Sequence, residues 1–269
     1  MNRTLALPAR VRTSARRVGR AFLVFWGTPV AVRVATLLVA VALLWAGTNW
    51  MVQVWRKPSE MFFPVGQALA KSPASTWREY GPLFREHSTP VMTAELLAAL
   101  AQVEGAGNPV ATPQWTWRWS RNPFEWYRPA SSAVGMFQIT DPAYHDAKRY
   151  CIHDHEVVAD GPWYDFSSCW FNGLYTRVVP SHAIEMTSAH LHRSVAAILA
   201  RRQGPGATLA QKQELAAVIH LCGLARSEAF ARRGFRAAEG ERCGPQSLRG
   251  YLVQVGELKR RFAEPAAAD

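Results

Sequence analysis

The first 57 residues of this 269-residue chain contain no aspartate and no glutamate. The same stretch holds nine basic residues, namely Arg3, Arg10, Arg12, Arg16, Arg17, Arg20, Arg33, Arg56 and Lys57. The formal net charge is +11, yet residues 58–269 hold 22 basic and 20 acidic residues and are close to neutral. A nucleic-acid-binding domain usually carries a strongly basic face, so the composition argues against direct nucleic-acid binding.

A long uncharged stretch follows the arginines. Residues 34–54, VATLLVAVALLWAGTNWMVQV, carry no charge, and about 20 apolar residues suffice for a membrane-spanning helix. Seven arginines precede it and the tryptophans Trp45, Trp50 and Trp55 suit the outer interface. We therefore expect a single-pass inner-membrane protein, with residues 1–33 in the cytoplasm and the remainder in the periplasm. A cleaved signal peptide and a buried soluble helix are alternatives, although no good small-residue cleavage site follows.

Cysteine is scarce, and no two cysteines form a CxxC pair, which argues against a zinc ribbon. The four are Cys151, Cys169, Cys222 and Cys243. An even number in an oxidising compartment predicts disulfides, with three possible pairings. We expect Cys151–Cys169 and Cys222–Cys243, because each pair closes a short local loop. The histidines of HDH, residues 153–155, are assigned to a surface loop, so no metal and no other cofactor is predicted.

Strand signals are weak and helical periodicity dominates, so the predicted fold class is mostly α. Residues 55–92 contain five prolines and are interpreted as a periplasmic stalk that packs on the domain. The domain itself is placed at residues 93–263, with a tail at 264–269. Helices are predicted over 93–107, near Pro142, over 181–202, over 209–223 after a capping box formed by Thr208 and Gln211, and around Leu248, Leu252, Val255 and Phe262.

The first helix of the predicted domain ends in a glutamate. Leu96, Leu100 and Val103 recur at helical spacing, and Glu104 falls in the last turn, on or beside this apolar face. A helix C-terminus disfavours an anion, and apolar surroundings disfavour the charged form of a carboxyl group. A carboxylic acid kept protonated is a general acid, which cleavage of a glycosidic bond requires. The alternative is a solvated glutamate without a catalytic role.

Two motifs that begin at Glu104 resemble those of the soluble lytic transglycosylase family. The family pattern is glutamate-serine-x-x-x-proline, then small residues, then glycine-leucine-methionine-glutamine; here EGAGNP covers residues 104–109 and GMFQ covers 135–138. The resemblance spans roughly residues 93–225 and implies a lysozyme-like helical domain. It also implies cleavage of peptidoglycan between N-acetylmuramic acid and N-acetylglucosamine. The wider chain looks closest to membrane-anchored transglycosylases of integrating conjugative elements.

The resemblance implies a mechanism with one carboxyl group. Protonated Glu104 would donate to the glycosidic oxygen, and the muramic N-acetyl group would stabilise the charge at C1. The carboxylate would then take the proton of the C6 hydroxyl, which attacks C1 and gives a 1,6-anhydro product without a metal or cofactor. Implied partners are glycan strands, the inner membrane and a secretion or conjugation apparatus. The candidate substrate-binding residues are Gln138, Met136, Phe137, Ser131, Ser132, Tyr127 and His220.

Two positions depart from the family pattern. Gly105 stands where the family has serine, which removes a hydroxyl beside the acid. The family's alanine-tyrosine-asparagine motif falls near VIHLCG, so His220 takes the place of the tyrosine and Leu221 that of the asparagine. The usual hydrogen bond from tyrosine to glutamate is therefore in doubt. His220 either replaces the tyrosine or is a core histidine.

Two other functions remain open at this stage. A lysozyme-type hydrolase would use the same acid, with water positioned by one of the acidic residues Asp141, Asp146 and Glu125. A non-catalytic, glycan-binding scaffold of a transenvelope complex would suit the loop at 108–131, in which Trp115, Trp117 and Trp119 alternate. These rings suit stacking on sugars, or packing of the loop onto the domain.

Overall fold

The computed structural model describes residues 25–165, 167–169, 171–202 and 205–264. The chain divides into two compact units, Met1–Arg56 with Arg118–Tyr127, and Lys57–Trp117 with Arg128–Asp269. Most of the predicted cytoplasmic segment, residues 1–24, lies outside the described residues, as does all of the predicted tail except Glu264.

The first unit is built on helix α1, Val30–Arg56, which contains the predicted span. By length and composition it can cross a membrane. Its leucines are exposed, with Leu44 at 72%, whereas Asn49 and Gln53 are buried at 1% and 5%. A core helix of a soluble protein buries its apolar side chains, so α1 has the opposite pattern, which suits an apolar surrounding along most of its surface.

The second unit is mostly helical. Its helices are α2 (Pro73–Glu86), α3 (Ala94–Gly105), α4 (Asp141–Ala147), α5 (Pro180–Arg201), α6 (Leu209–Cys222), α7 (Leu224–Arg232) and α8 (Leu248–Ala263). Short 3-10 turns cover Pro58–Phe62, Gly66–Leu69 and Asn172–Leu174. Helix α3 packs against α2 and α8, and α6 packs against α5, α7 and α8. The predicted mostly α class is therefore confirmed for this unit.

The central helix is α3, and its sequence explains its position. Thr93 precedes it as the N-cap, and every residue from Leu96 to Ala101 is almost completely buried. Small alanines alternate with leucines there, so neighbouring helices can pack against more than one face. The helix ends where Ala106 adopts a left-handed conformation with φ 49°. The predicted helix over 93–107 is thus confirmed, with Glu104 in its last turn.

The segment predicted as a stalk contributes to the same core. Ser72 caps α2 by accepting a hydrogen bond from the Ser75 N–H, and Pro73 occupies the first turn, where its missing N–H costs nothing. Tyr80 and Phe84 are 5% and 0% exposed in the core cluster. The proline count indicated a stalk, but the helical part of this segment belongs to the domain that we began at residue 93.

The described residues also form two-stranded sheets, although the sequence offered only weak strand signals. They pair β1 (Trp115–Trp117) with β2 (Tyr127–Pro129), β3 (Tyr150–His153) with β4 (Glu156–Ala159), and β5 (Arg242–Cys243) with β6 (Gln246–Ser247). In the β3–β4 hairpin, Asp154 and His155 both have positive φ, as a tight hairpin turn requires. The HDH sequence therefore forms a hairpin turn.

Both expected disulfides are present. Cys151 in β3 is bonded to Cys169, and Cys222 at the end of α6 is bonded to Cys243 in β5. The predicted capping box at the start of α6 is also formed, because Thr208 and Gln211 each bond the other's backbone N–H. The residues in each of these contacts are close together in the sequence, so the contacts depend little on the packing of distant elements.

Candidate active site

A cleft of about 900 Å³ lies at the C-terminal end of α3 in the second unit. Its walls include Glu104 and Asn108 from α3 and the following loop, Gln138, and His220 from α6. Among the described residues that line it, Glu104 is the one carboxylate. The cleft therefore gathers several of the residues that the motifs singled out, around a single acid.

Glu104 is held at the edge of the core. Its side chain is 13% exposed, and its Oε1 accepts a hydrogen bond of 2.6 Å from the Tyr251 hydroxyl. His220 lies nearby, with Nε2 3.8 Å from the same oxygen, which is too long for a hydrogen bond. Both neighbours approach Oε1 and not Oε2.

Tyr251 is a site residue that our sequence analysis missed. It lies on α8 between Leu248 and Val255, on the face that packs into the core, and is 3% exposed. Burial raises the pKa of Tyr251 well above its usual value, and the neighbouring Glu104 carboxylate raises it further. The hydroxyl therefore remains a donor near neutral pH. The sequence feature that could have identified it is a tyrosine on the apolar face of a predicted helix. A buried tyrosine hydroxyl usually needs a hydrogen-bond partner.

Tyr251 on α8 therefore donates to Glu104 the hydrogen bond that was in doubt because His220 stands in place of a tyrosine. His220 also lines a smaller cavity of about 70 Å³ with His190. There, Nδ1 of His190 lies 2.9 Å from Oδ2 of Asp146. Burial lowers the pKa of His190 and the Asp146 carboxylate partly counteracts it. His190 therefore lines a cavity that shares Gln138, Thr140 and His220 with the cleft.

Gly105 has a steric role. A Cβ atom added at Gly105 would lie 2.8 Å from both Cα and the carbonyl oxygen of Met136. Because these contacts are with backbone, a serine at this position would force the end of α3 away from the segment at Met136. Glycine at position 105 therefore allows the end of α3 to pack closely against the backbone at Met136.

Gln138 shapes the wall of the cleft. Its backbone has a positive φ of 47°, and its Nε2 donates to the carbonyl oxygens of Ala111 at 3.1 Å and Gly135 at 3.0 Å. Its amide nitrogen is therefore bonded to the backbone that shapes the cleft. The side chain thus joins the two loops that form this part of the cleft.

Met136 and Phe137 lie in the core and not at the surface of the cleft. We assigned both to substrate binding from their place in the motif, but both side chains are 0% exposed and belong to the hydrophobic core. The turn begins at Gly135 with φ 81°, and both apolar side chains that follow it pack inward. Their role in this structure is to anchor the loop that carries Gln138.

The remaining candidates are distributed differently. Ser131 lines the cleft, and its Oγ accepts a hydrogen bond from the Ala133 N–H. Ser132 Oγ instead accepts from the N–H of Asp141, the first residue of α4. Tyr127 belongs to the first unit, where its carbonyl accepts a hydrogen bond from Asn49. Of these three, Ser131 is the one that the structure brings to the cleft.

One tryptophan of the alternating set also lines the cleft. Trp115 packs against Phe63 with the rings tilted by 33° and their centroids 4.5 Å apart, and its Nε1 donates to Oε2 of the buried Glu60 at 2.8 Å. Trp117 and Trp119 are 67% and 91% exposed. A ring held by packing and a hydrogen bond is pre-organised to stack on a sugar, so Trp115 adds a further candidate contact.

The cleft thus combines one carboxyl group, a buried tyrosine donor, an adjacent histidine and a fixed aromatic ring. The identification of this cleft as a candidate active site depends on this geometry and on the two motifs around Glu104 and Gln138. No family model matches the sequence, and no curated protein matches it.

Proposed function

We propose that the chain is a membrane-anchored periplasmic lytic transglycosylase. It would cleave the β-1,4 bond between N-acetylmuramic acid and N-acetylglucosamine and release a 1,6-anhydro product. The observation that carries the proposal is the position of Glu104, which is the one carboxylate among the described residues of the cleft and is bonded to Tyr251. The cleft volume of about 900 Å³ lies within the usual range for ligand sites, about 300–1,000 Å³.

We assign separate roles to the two carboxyl oxygens, because Tyr251 and His220 both approach Oε1. Glu104 Oε2 would give its proton to the glycosidic oxygen as the bond to C1 breaks. The Tyr251 hydroxyl, bonded to Oε1, would stabilise the carboxylate that forms, since hydrogen bonds to an ionised acceptor are strong. Glu104 would then take the proton from the C6 hydroxyl of the same sugar as that oxygen attacks C1. The acid is regenerated, and no water is consumed.

A single carboxylate favours this route over hydrolysis. Hydrolases of the common kinds place two carboxyl groups across the scissile bond. The candidates for a second group have other contacts: Asp141 lies 2.8 Å from Arg177, and Asp146 lies 2.9 Å from His190. Glu125 is paired with Arg56 inside the first unit. The substrate's own N-acetyl and C6 hydroxyl groups would replace the missing second carboxylate.

The membrane and periplasmic parts of the proposal have independent support. Helix α1 is long and apolar enough to span a bilayer, and the arginines before it predict a cytoplasmic N-terminus. Two disulfides suit an oxidising compartment such as the periplasm. Work at a conjugative transfer apparatus is proposed from the sequence resemblance alone.

The decisive experiment is digestion of purified peptidoglycan by the full-length protein in detergent, with mass analysis of the released muropeptides. We expect 1,6-anhydro ends. Reducing ends would instead identify a hydrolase, and no release together with glycan binding would identify a scaffold. Each of these two results contradicts the proposal.

The matched variant is Glu104→Gln, which keeps the shape and hydrogen-bonding capacity but carries no acidic proton. General acid catalysis is worth about 10²–10⁴-fold, and Glu104 would also act as the base, so we expect a loss at the upper end of that range with glycan binding retained. A Glu104→Gln protein that folds and releases anhydro-muropeptides at the wild-type rate would exclude Glu104 as the catalyst.

A further inference from the structure

One face of α1 is bonded to the loop Arg118–Tyr127, which belongs to the same unit. Trp45 Nε1 donates to the carbonyl of Pro123 at 3.2 Å, Asn49 Nδ2 donates to that of Tyr127 at 2.7 Å, and Gln53 Nε2 donates to that of Phe124 at 2.8 Å. At the end of the helix, Arg56 pairs with Glu125 at 2.8 Å. The four helix residues recur at spacings of three and four, so they form one stripe. The loop therefore lies along the last three turns of α1.

The length of α1 sets the depth of this loop in a membrane. The uncharged run begins at Val34, after Arg33, and the stretch from Val34 to Leu44 would cover only about 15 Å at the helical rise. Even from Val30, the first residue of α1, the distance to Leu44 is only about 21 Å. A hydrocarbon core is about 30 Å thick. If α1 spans a bilayer, the level of Trp45 must then lie within the membrane or at its edge.

The loop is suited to that level, because four of its carbonyl groups accept hydrogen bonds from side chains. Besides the three carbonyls bonded by α1, the carbonyl of Ser120 accepts a hydrogen bond from Trp126 Nε1 at 2.8 Å. Irregular backbone near lipid is tolerated only when its polar groups are satisfied by protein. A loop that remained in water would not need these donors, and Asn49 and Gln53 would be costly on a lipid-facing helix without them.

The outer side of the loop carries the residues that membrane interfaces favour. Trp119 is 91% exposed and lies edge-on to Trp126, with ring centroids 5.3 Å apart. Arg118 and Arg121 beside it are also exposed. Tryptophan collects at the headgroup level, where its apolar body and polar N–H are both accommodated, and arginine is attracted to lipid phosphate.

We propose that the loop Arg118–Tyr127 is a second membrane contact, which lies in the outer leaflet from the hydrocarbon core to the headgroup region and places Trp119 against phospholipid. This inference rests on the membrane anchoring in the proposed function. If so, the loop contacts lipid and not peptidoglycan. The exposed Trp119 is then no longer a candidate glycan contact.

Site-directed spin labelling of the full-length protein tests this depth. All four native cysteines are in disulfides, so a single introduced cysteine can be labelled with a nitroxide. Three variants are compared in vesicles of phosphatidylcholine and phosphatidylglycerol: Trp119→Cys at the loop, Leu44→Cys as a reference within the span, and Arg232→Cys on α7 as an aqueous reference. Collision with oxygen and with a water-soluble nickel chelate reports the depth of each label.

We expect the label at 119 to collide with the nickel chelate several-fold less often than the label at 232, and to lie shallower than the label at 44. A label at 119 as accessible to nickel as that at 232, with the label at 44 protected, would overturn the inference and leave the membrane anchor intact. Nickel access at all three positions would instead overturn the anchor, and with it the inference. Catalysis is measured separately, so either failure is distinguishable from a failure of the transglycosylase proposal.

Discussion

The Tyr251 hydroxyl donates a 2.6 Å hydrogen bond to Glu104, although 147 residues separate the two in the chain. Glu104 ends α3 and Tyr251 lies in the first turns of α8, and these two helices pack directly against each other. The hydrogen bond therefore depends on the central packing of the domain. Any change that shifts α8 along α3 would also move the acid.

The first prediction is that Tyr251→Phe slows cleavage while the protein remains folded. Loss of a hydrogen bond to a charged group costs about 1.5–3 kcal/mol, which corresponds to a rate loss of roughly 10- to 100-fold if the bond is made to the carboxylate in the transition state. The measurement is the initial rate of anhydro-muropeptide release at saturating peptidoglycan. The ring stays in place, so glycan binding should change little.

A matched control for Tyr251→Phe exists in the same chain. Tyr175 donates to Oε2 of Glu185 at 2.8 Å, a tyrosine–glutamate pair that does not line the cleft among the described residues. We expect Tyr175→Phe to lower the melting temperature and leave the rate of cleavage unchanged. Equal rate losses in both variants would show that the Tyr251 effect is one of general stability.

Gly105→Ser is expected to destabilise the domain, even though the motif that this segment resembles has serine at this position. The new Cβ would lie 2.8 Å from Met136 backbone atoms, and overpacking of this kind costs about 1–3 kcal/mol. Gly256→Ser on α8 is the control, because a Cβ there meets nothing within 4 Å. Thermal unfolding followed by circular dichroism compares the two. A Gly105→Ser protein as stable as the control would contradict the steric explanation.

The element types were largely predictable from sequence, because they depend on local periodicity. The capping box at Thr208 and Gln211, the apolar stripe of α3 and the short disulfide loops all involve residues that are near in the chain. The hairpin at β3–β4 was missed, since four-residue strands stabilised by a disulfide and by packing on α5 show no long alternating pattern. We assigned residues 55–92 to a stalk that packs on the domain, and the packing of α2 against α3 shows that this helix belongs to the same unit as the domain.

The site was predictable only in part, for the same reason. Glu104 and Gln138 belong to compact motifs, so their presence at one cleft followed from the resemblance. The partner of Glu104 did not, because Tyr251 reaches it through the packing of two helices that are far apart in sequence. Met136 and Phe137 showed the limit of a motif, which marks conserved spacing in a family but does not tell an exposed side chain from a buried one.

The domain should lose stability in mild acid. Burial lowers the pKa of His87, His190 and His192 in the folded protein, so the unfolded chain binds protons more readily. The stability that this contributes is present above the unfolded pKa of about 6.5 and falls as the pH drops through it toward the folded values. Melting temperatures at pH 7.5 and 5.5 measure the loss.

His190→Gln tests the contribution of one of these histidines. Because glutamine does not titrate, the variant should lose less stability than the wild type between pH 7.5 and 5.5, even if it is less stable at both. An unchanged difference between the two pH values would show that protonation of His190 does not contribute to acid unfolding.

The final prediction is that loss of the two disulfides has different effects on activity. Cys243 lies two residues before Pro245, and Pro245 and Gln246 line the cleft, as does His220, two residues before Cys222. The Cys151–Cys169 bond instead joins β3 to the segment after β4, and no described residue between 150 and 179 lines the cleft. Loss of either bond should cost a few kcal/mol of stability, about 3 for loops of this size.

Paired serine variants measured at a temperature where both remain folded should therefore differ in activity. We expect Cys222→Ser with Cys243→Ser to release anhydro-muropeptides several-fold more slowly, because the wall at Pro245 and Gln246 is no longer tied to α6. Cys151→Ser with Cys169→Ser should keep nearly the wild-type rate despite a similar fall in melting temperature. If both double variants retain full activity at that temperature, the Cys222–Cys243 bond stabilises the fold without shaping the cleft.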